Sequence, residues 1–131
     1  MKIFVTGING RLGKAIAGLA AGRGHSIIGV CRRGWNEAEP VPASVTVHAG
    51  DTADADRMGE LMQGCDAFVH TSGLHSAHLK THSLADFLDV NVTQVATLLL
   101  KAKAAGISRV CLSSTLQVHC GYDQCASGSM I

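Results

Sequence analysis

Apolar residues along this chain come in short unbroken blocks that alternate with longer stretches in which they recur every three or four positions. Lys2 to Thr6 (KIFVT) is a block with β-branched members that runs into glycines, which predicts a buried strand feeding a helix. Leu12, Ile16, Leu19 and Ala20 then keep helical spacing up to Gly22 and Gly24. Ser26 to Cys31 (SIIGVC) and Ser44 to His48 (SVTVH) predict a second and third strand, separated by a polar loop with Gly34, Pro40 and Pro42. From about Asp54 to Gln63, Ala55, Met58, Leu61 and Met62 share one helical face, and Gly64 stops the pattern. Asp66 to Thr71 (DAFVHT) predicts a fourth strand and Arg109 to Ser113 (RVCLS) a fifth. Between them, Ser83 to Ala105 reads as a long helix carrying Leu84, Phe87, Leu88, Val92, Val95, Leu98, Leu99 and Ala102, with room for a break near Asn91.

Strands that alternate with helices must pair in parallel through right-handed crossovers. The predicted fold is therefore α/β, a Rossmann-type doubly wound parallel sheet of about five strands in the order 3-2-1-4-5. Residues 1–118 form its single domain and 119–131 a polar C-terminal tail. Composition agrees: 47% hydrophobic and 16% charged residues over 131 positions suit a sheet covered on both faces. A formal charge of +1 gives no general attraction to nucleic acid or to acidic membranes, so neither is expected as a partner. Five scattered cysteines, mostly inside apolar runs, predict reduced buried thiols rather than a disulfide framework. The N-terminal apolar block is too short for a signal peptide and no stretch reaches membrane-spanning length, so a soluble, cytoplasmic protein is expected.

The chemistry is concentrated at the first turn. Thr6, Gly7, Gly10 and Gly13 spell TGxxGxxG between strand one and helix one. Lacking Cβ atoms, these glycines allow a sharp turn, a phosphate close to the backbone and a helix close to the sheet, while the helix start offers N–H groups to the anion. Gly7, Asn9, Gly10, Arg11, Leu12 and Gly13 are thus candidate dinucleotide-binding residues. The place where an NAD ribose would normally meet a carboxylate holds Cys31, Arg32 and Arg33 instead. Arg32 and Arg33 would suit a 2′-phosphate, which predicts NADP over NAD; as solvated loop charges they would leave either cofactor open.

Five motifs now stand in order: TGxxGxxG, Gly50-Asp51 after strand three, VHTSG at Val69 to Gly73, Asn91 within DVNV, and LSST at 112 to 115. Together, from Met1 to about Val118, they resemble the extended short-chain dehydrogenase/reductase family of NAD(P)-dependent sugar-nucleotide epimerases and dehydratases. The resemblance implies that Asp51, with Thr52 beside it, meets the adenine, that Thr71, Ser72 and Gly73 line the path past the riboses, and that Asn91 shapes the site through the backbone. It also implies a catalytic role for Thr115, whose hydroxyl would hydrogen-bond a substrate oxygen. Ser113 and Ser114 read as strand-end hydroxyls serving local backbone groups.

One departure matters. The family's acid/base is a tyrosine in a YxxxK pair, whereas Tyr122, the only tyrosine here, has Ala126 four residues on. The expectation is a dinucleotide-binding protein with little turnover, acting on a nucleotide sugar or a small carbonyl compound if on anything. The alternative is a non-catalytic, NADP-binding redox sensor or regulatory module, which needs no such pair. Because the family's substrate lobe is not in these residues, an exposed sheet edge and the apolar 84–102 stretch are expected to drive a homodimer or a tail exchange. Two clusters are set aside as metal sites: His75, His78 and His82 read as surface histidines near the mouth of the site, and His119, Cys120 and Cys125 have only Asp123 as a fourth zinc ligand.

Overall fold

The structure, a computed structural model, describes residues 1–35 and 40–115. The expected tail and the cysteine–histidine cluster at 119–125 lie outside the described residues. Five parallel strands, β1 (Lys2–Thr6), β2 (Ser26–Cys31), β3 (Val45–Ala49), β4 (Ala67–His70) and β5 (Arg109–Leu112), form one sheet in the order β3-β2-β1-β4-β5. This is the doubly wound order that the alternation of apolar blocks predicts. The register aligns His48, Val30, Thr6, His70 and Leu112 in one row across the carboxyl end of the sheet. In open α/β sheets that end is where ligands bind, beside the central strand where the winding reverses.

The described residues form four α-helices, α1 (Arg11–Gly22), α2 (Ala55–Met62), α3 (Leu84–Leu88) and α4 (Gln94–Ala104), of which α1, α2 and α4 cover the sheet. On one face Val5, Ile8, Ala17, Ala20, Ile27 and Val45 make a small-residue core with α1. On the other, Phe4, Val30, Phe68, Met58, Met62, Leu98 and Ala102 pack α2 and α4 against the strands. Phe4 and Phe68, on neighbouring strands, have ring centroids 5.7 Å apart at the centre of this layer.

Two helices depart from the periodicity reading. The buried face of α1 is Gly13, Ala17 and Ala20, while Leu12 and Leu19 are exposed. The reason is distance: the glycine turn brings α1 too close to the sheet for leucine, and only small residues fit beneath it. Gly29 of β2 shows the same crowding, since a Cβ there would lie 2.1 Å from Ile8 Cδ1. The helical stretch predicted over 83–105 breaks near Asn91, as its sequence allows, at a π-helical turn, Asp89–Thr93, between α3 and α4, and the departure lies in its burial. Of its apolar residues only Leu98 and Ala102 are buried, whereas Leu84, Leu88, Val92 and Leu100 are exposed. Among the described cysteines, Cys65 is buried, Cys31 half-buried and Cys111, in the exposed strand β5, open to solvent, so the expectation of buried thiols holds only in part. No helix of the described residues is long and apolar enough to cross a membrane.

Candidate functional site

The turn between β1 and α1 is shaped by three glycines that no other residue could replace without movement. Gly7 has φ +70°, and a Cβ on it would meet the Ser72 backbone nitrogen at 2.8 Å. A Cβ on Gly13 would meet the Gly7 carbonyl oxygen at 2.3 Å. Gly10 is the N-cap residue of α1 and supplies no side-chain cap, and the first turn of that helix carries no acidic residue. Its opening N–H groups therefore have no side-chain acceptor, which is the arrangement that receives an anion. The turn is tied to the neighbouring strand by Gly7 N–H donating to the Val30 carbonyl at 2.9 Å and Gly10 N–H donating to the Gly7 carbonyl at 2.9 Å.

A cleft of about 480 Å³ opens over this turn. It brings together Gly7, Gly10, Arg11, Leu12 and Gly13 with Arg32, Asp51, Thr52, Thr71, Ser72 and Gly73, eleven of the candidates drawn from the sequence. Leu12 thus faces the cleft rather than the core. Asn9, Arg33 and Asn91 do not border it. Asn9 instead donates from Nδ2 to the Gly34 carbonyl at 2.9 Å, and Arg33 is exposed on the loop beyond β2. Cys31 also borders the cleft, and burial pushes its thiol above the ordinary value despite the nearby Asn9 and Gly34 N–H groups. Asp51 accepts from the Ala53 N–H at 3.0 Å, and the Thr52 hydroxyl donates to Gln94 Oε1 at 2.9 Å.

The carboxyl end of β4 is locked to β1 by hydroxyls. Thr71 donates from Oγ1 to the Thr6 carbonyl at 2.8 Å, so its hydroxyl proton is committed to the backbone. Thr6 Oγ1 lies 2.7 Å from His70 Nδ1 in a buried pair. Burial holds the His70 imidazole below its usual range, with the Ser72 backbone opposing it. Asn91, in the π-helical turn, clamps the Leu74 backbone from both sides: Leu74 N–H donates to its Oδ1 at 2.8 Å and its Nδ2 donates to the Leu74 carbonyl at 2.9 Å. The widened turn presents this side chain to a loop 17 residues away.

A second cavity of about 700 Å³ adjoins the first and shares Ser72, Gly73, Leu74 and His75 with it. Thr115 borders this second space with Ser113, Ser114, Leu112 and His70. The candidate hydroxyl of Thr115 is therefore next to the cleft, across the β4 loop. Ser72 Oγ and Asn9 Oδ1 are buried without a hydrogen-bond partner. Of the two, Ser72 borders the cleft, and an orphaned buried hydroxyl beside a cradle that a Cβ would fill is what a polar ligand completes, so the lining fits a dinucleotide. Among the described residues no group of three or more histidine, cysteine or carboxylate side chains could hold a metal ion.

His70 and Gln94 are residues of this region to which the sequence motifs assign no part. His70 is the one titratable group in the apolar strand β4, and that isolation was a usable signal. Gln94 borders the cleft because of packing between elements, which no local pattern reveals, whereas His75 and His82 border it, in keeping with their expected place near the mouth of the site.

Comparison with known proteins places this geometry. The family model of the NAD dependent epimerase/dehydratase family matches residues 3–127. A 2-alkyl-3-oxoalkanoate reductase of Shewanella oneidensis is 30% identical over 115 residues, covering 88% of this chain and 28% of the reductase. A UDP-glucose-4-epimerase from Stenotrophomonas maltophila, solved with NAD and formylated UDP-arabinopyranose, superposes with a TM-score of 0.81 at 24% identity, over 95% of this chain and 40% of the epimerase. A uronate dehydrogenase from Agrobacterium tumefaciens complexed with NAD gives 0.70 at 24% identity, over 87% and 40%. The chain thus spans well under half the length of these relatives. With its sheet order, its glycine turn and this match over nearly all its residues, the chain belongs to the NAD dependent epimerase/dehydratase family.

Proposed function

We propose that these residues bind a nicotinamide dinucleotide in the cleft over the glycine turn, with its pyrophosphate at the amino end of α1. The observation that carries this reading is the uncapped start of α1 above Gly7 and Gly13, two positions where any Cβ would strike backbone. Bound there, the dinucleotide would supply or accept a hydride. Gly7, Gly10 and Gly13 make room for it, Asp51 and Thr52 wall the adenine end, and Ser72 and Gly73 border the path toward the second cavity. Asn9 and Asn91 serve from behind, one through the Gly34 carbonyl and the other through the Leu74 backbone.

NADP is the preferred form in this proposal. Arg32 borders the cleft and no carboxylate among the described residues pairs with it, so its guanidinium is available for a 2′-phosphate; Arg33 contributes long-range charge from the same loop. Thr115 would hydrogen-bond the oxygen of a nucleotide sugar or small carbonyl substrate held in the second cavity. Turnover by these 131 residues alone is proposed to be slight, because Tyr122 has no lysine four residues on. A reducing cytoplasmic compartment suits the free thiols of Cys31, Cys65 and Cys111. A second copy of the chain is proposed to cover the exposed apolar side chains of Leu84, Leu88 and Val92.

Calorimetry with NADPH and NADH tests the reading: NADPH should bind more tightly by at least about tenfold. No heat with either would end it, and equal affinities would end the preference for NADP. Binding without turnover across a carbonyl panel would favour the regulatory module.

A further inference from the structure

Three imidazoles stand at the mouth of the cleft, on the loop that follows β4. His75 and His78 have ring centroids 4.4 Å apart and His78 and His82 5.6 Å apart, each pair edge to face. His75 and His82 border the cofactor cleft, and His75 also borders the second cavity. The spacing of these rings holds no metal ion, and the backbone shows what they offer a ligand instead. Ala77 N–H donates to His75 Nδ1 at 3.4 Å, and His75 N–H donates to His78 Nδ1 at 3.1 Å, a reciprocal cap on the 3₁₀ helix Ser76–His78. An Nδ1 that accepts from an N–H carries no proton, so the neutral ring carries its hydrogen on Nε2. The outer nitrogens of His75 and His78 are then hydrogen-bond donors, and a metal needs a lone pair there.

Charge points the same way. From Leu74 to Ser83 the loop holds His75, His78, Lys80 and His82 and no carboxylate. Asp86, the acid facing His82 from α3, is engaged by the Ser83 N–H and hydroxyl at 2.7 and 2.8 Å. We propose that His75, buttressed by His78 and with His82 as the far wall, donates from Nε2–H to a phosphoryl oxygen of a ligand at the junction of the two cavities. This deepens the cofactor reading and rests on it for what occupies the cleft. The phosphoryl group belongs either to the dinucleotide or to a phosphorylated substrate in the second cavity, and the chemistry His75 offers is the same.

The decisive variant is His75→Asn. Its Oδ1 stands where Nδ1 stood and still caps the Ala77 N–H, but the outer donor is gone; His75→Gln reaches the outer position instead. Imidazole nitrogen NMR of the wild-type chain should show His75 and His78 with hydrogen on Nε2, and inorganic pyrophosphate should shift the His75 Nε2 signal. His75→Asn should keep the wild-type melting midpoint, weaken pyrophosphate and NADPH by about fivefold to tenfold, and be partly rescued in His75→Gln. If UDP is weakened by His75→Asn and NADPH is not, the phosphate is the substrate's. A His75 ring with hydrogen on Nδ1, a response to zinc in place of pyrophosphate, or affinities unchanged in His75→Asn would each overturn the subsite. Should pyrophosphate shift His75 while NADPH fails to bind, the subsite stands and the cofactor reading falls; should NADPH bind while His75 stays silent to NADPH, UDP and pyrophosphate alike, the reverse holds.

Discussion

A methyl group added at Gly13 would sit 2.3 Å from the Gly7 carbonyl oxygen and 2.7 Å from Ile8 Cα, backbone atoms that cannot step aside without moving the turn. Gly13→Ala is therefore expected to cost about 1–3 kcal/mol in chemical denaturation and to abolish dinucleotide binding in calorimetry. Arg32→Glu places a carboxylate where the 2′-phosphate is proposed to lie. NADPH affinity should fall by roughly a hundredfold while NADH affinity changes little, and loss of both alike would remove Arg32 from the phosphate site. Fluorescence quenching of Trp35, which packs on the α1 face of the core and lies under the Lys14 ammonium, offers a convenient readout for both cofactors. His70 bears on pH. Because burial holds its imidazole below about 6.5, the unfolded chain takes up a proton in that range that the native chain refuses. Its share of stability is complete above about pH 6.5 and declines as pH falls toward the depressed native value. Urea midpoints measured from pH 7.5 downward should show this decline in the wild type, and His70→Asn, which does not titrate, should show a shallower one.

At the scale of elements, the contrast between helix starts is instructive. α2 begins with Asp54 accepting from the Arg57 N–H, and α3 with a reciprocal cap between Ser83 and Asp86, but α1 begins at Gly10 with nothing. Local rules are followed where the chain only needs a helix and broken where a ligand is to complete one. Gly10→Asp should accordingly separate stability from binding. Gly10 has an ordinary extended φ of −73°, so aspartate can cap α1 with a small adjustment at the Gly7 carbonyl oxygen, 3.2 Å from the new Cβ. The variant should gain roughly half a kcal/mol and lose dinucleotide affinity by at least about tenfold, since a carboxylate then occupies the anion's seat. The strands and α2 were legible because their signals are local: apolar blocks of four to six residues and a helical repeat ending at glycine. The face of α1 was not, because Leu12, Ile16 and Leu19 have the right spacing, and only the closeness of the sheet selects Gly13, Ala17 and Ala20 in their place.

For the molecule as a whole, the two faces of the sheet are unequal. Large side chains pack beneath α2 and α4, whereas α3 and the π-helical turn leave Leu84 76%, Leu88 55% and Val92 57% exposed. Sedimentation at micromolar concentration should show a dimer, and Leu88→Glu combined with Val92→Glu should give a monomer that still binds dinucleotide. A wild-type monomer would refute the proposed self-association.

The alternation of strand and helix and the glycine turn follow from the sequence alone, because each depends on residues within a few positions of one another, and the parallel order follows from that alternation through the right-handed crossovers. The meeting of Thr6 with His70 across 64 residues depended on tertiary structure, as did the clasp of Asn91 on Leu74 across 17 and the arrival of Gln94 at the cleft. Contacts of that kind are set by how closely the layers pack, and the strength of a local pattern carries no information about that distance.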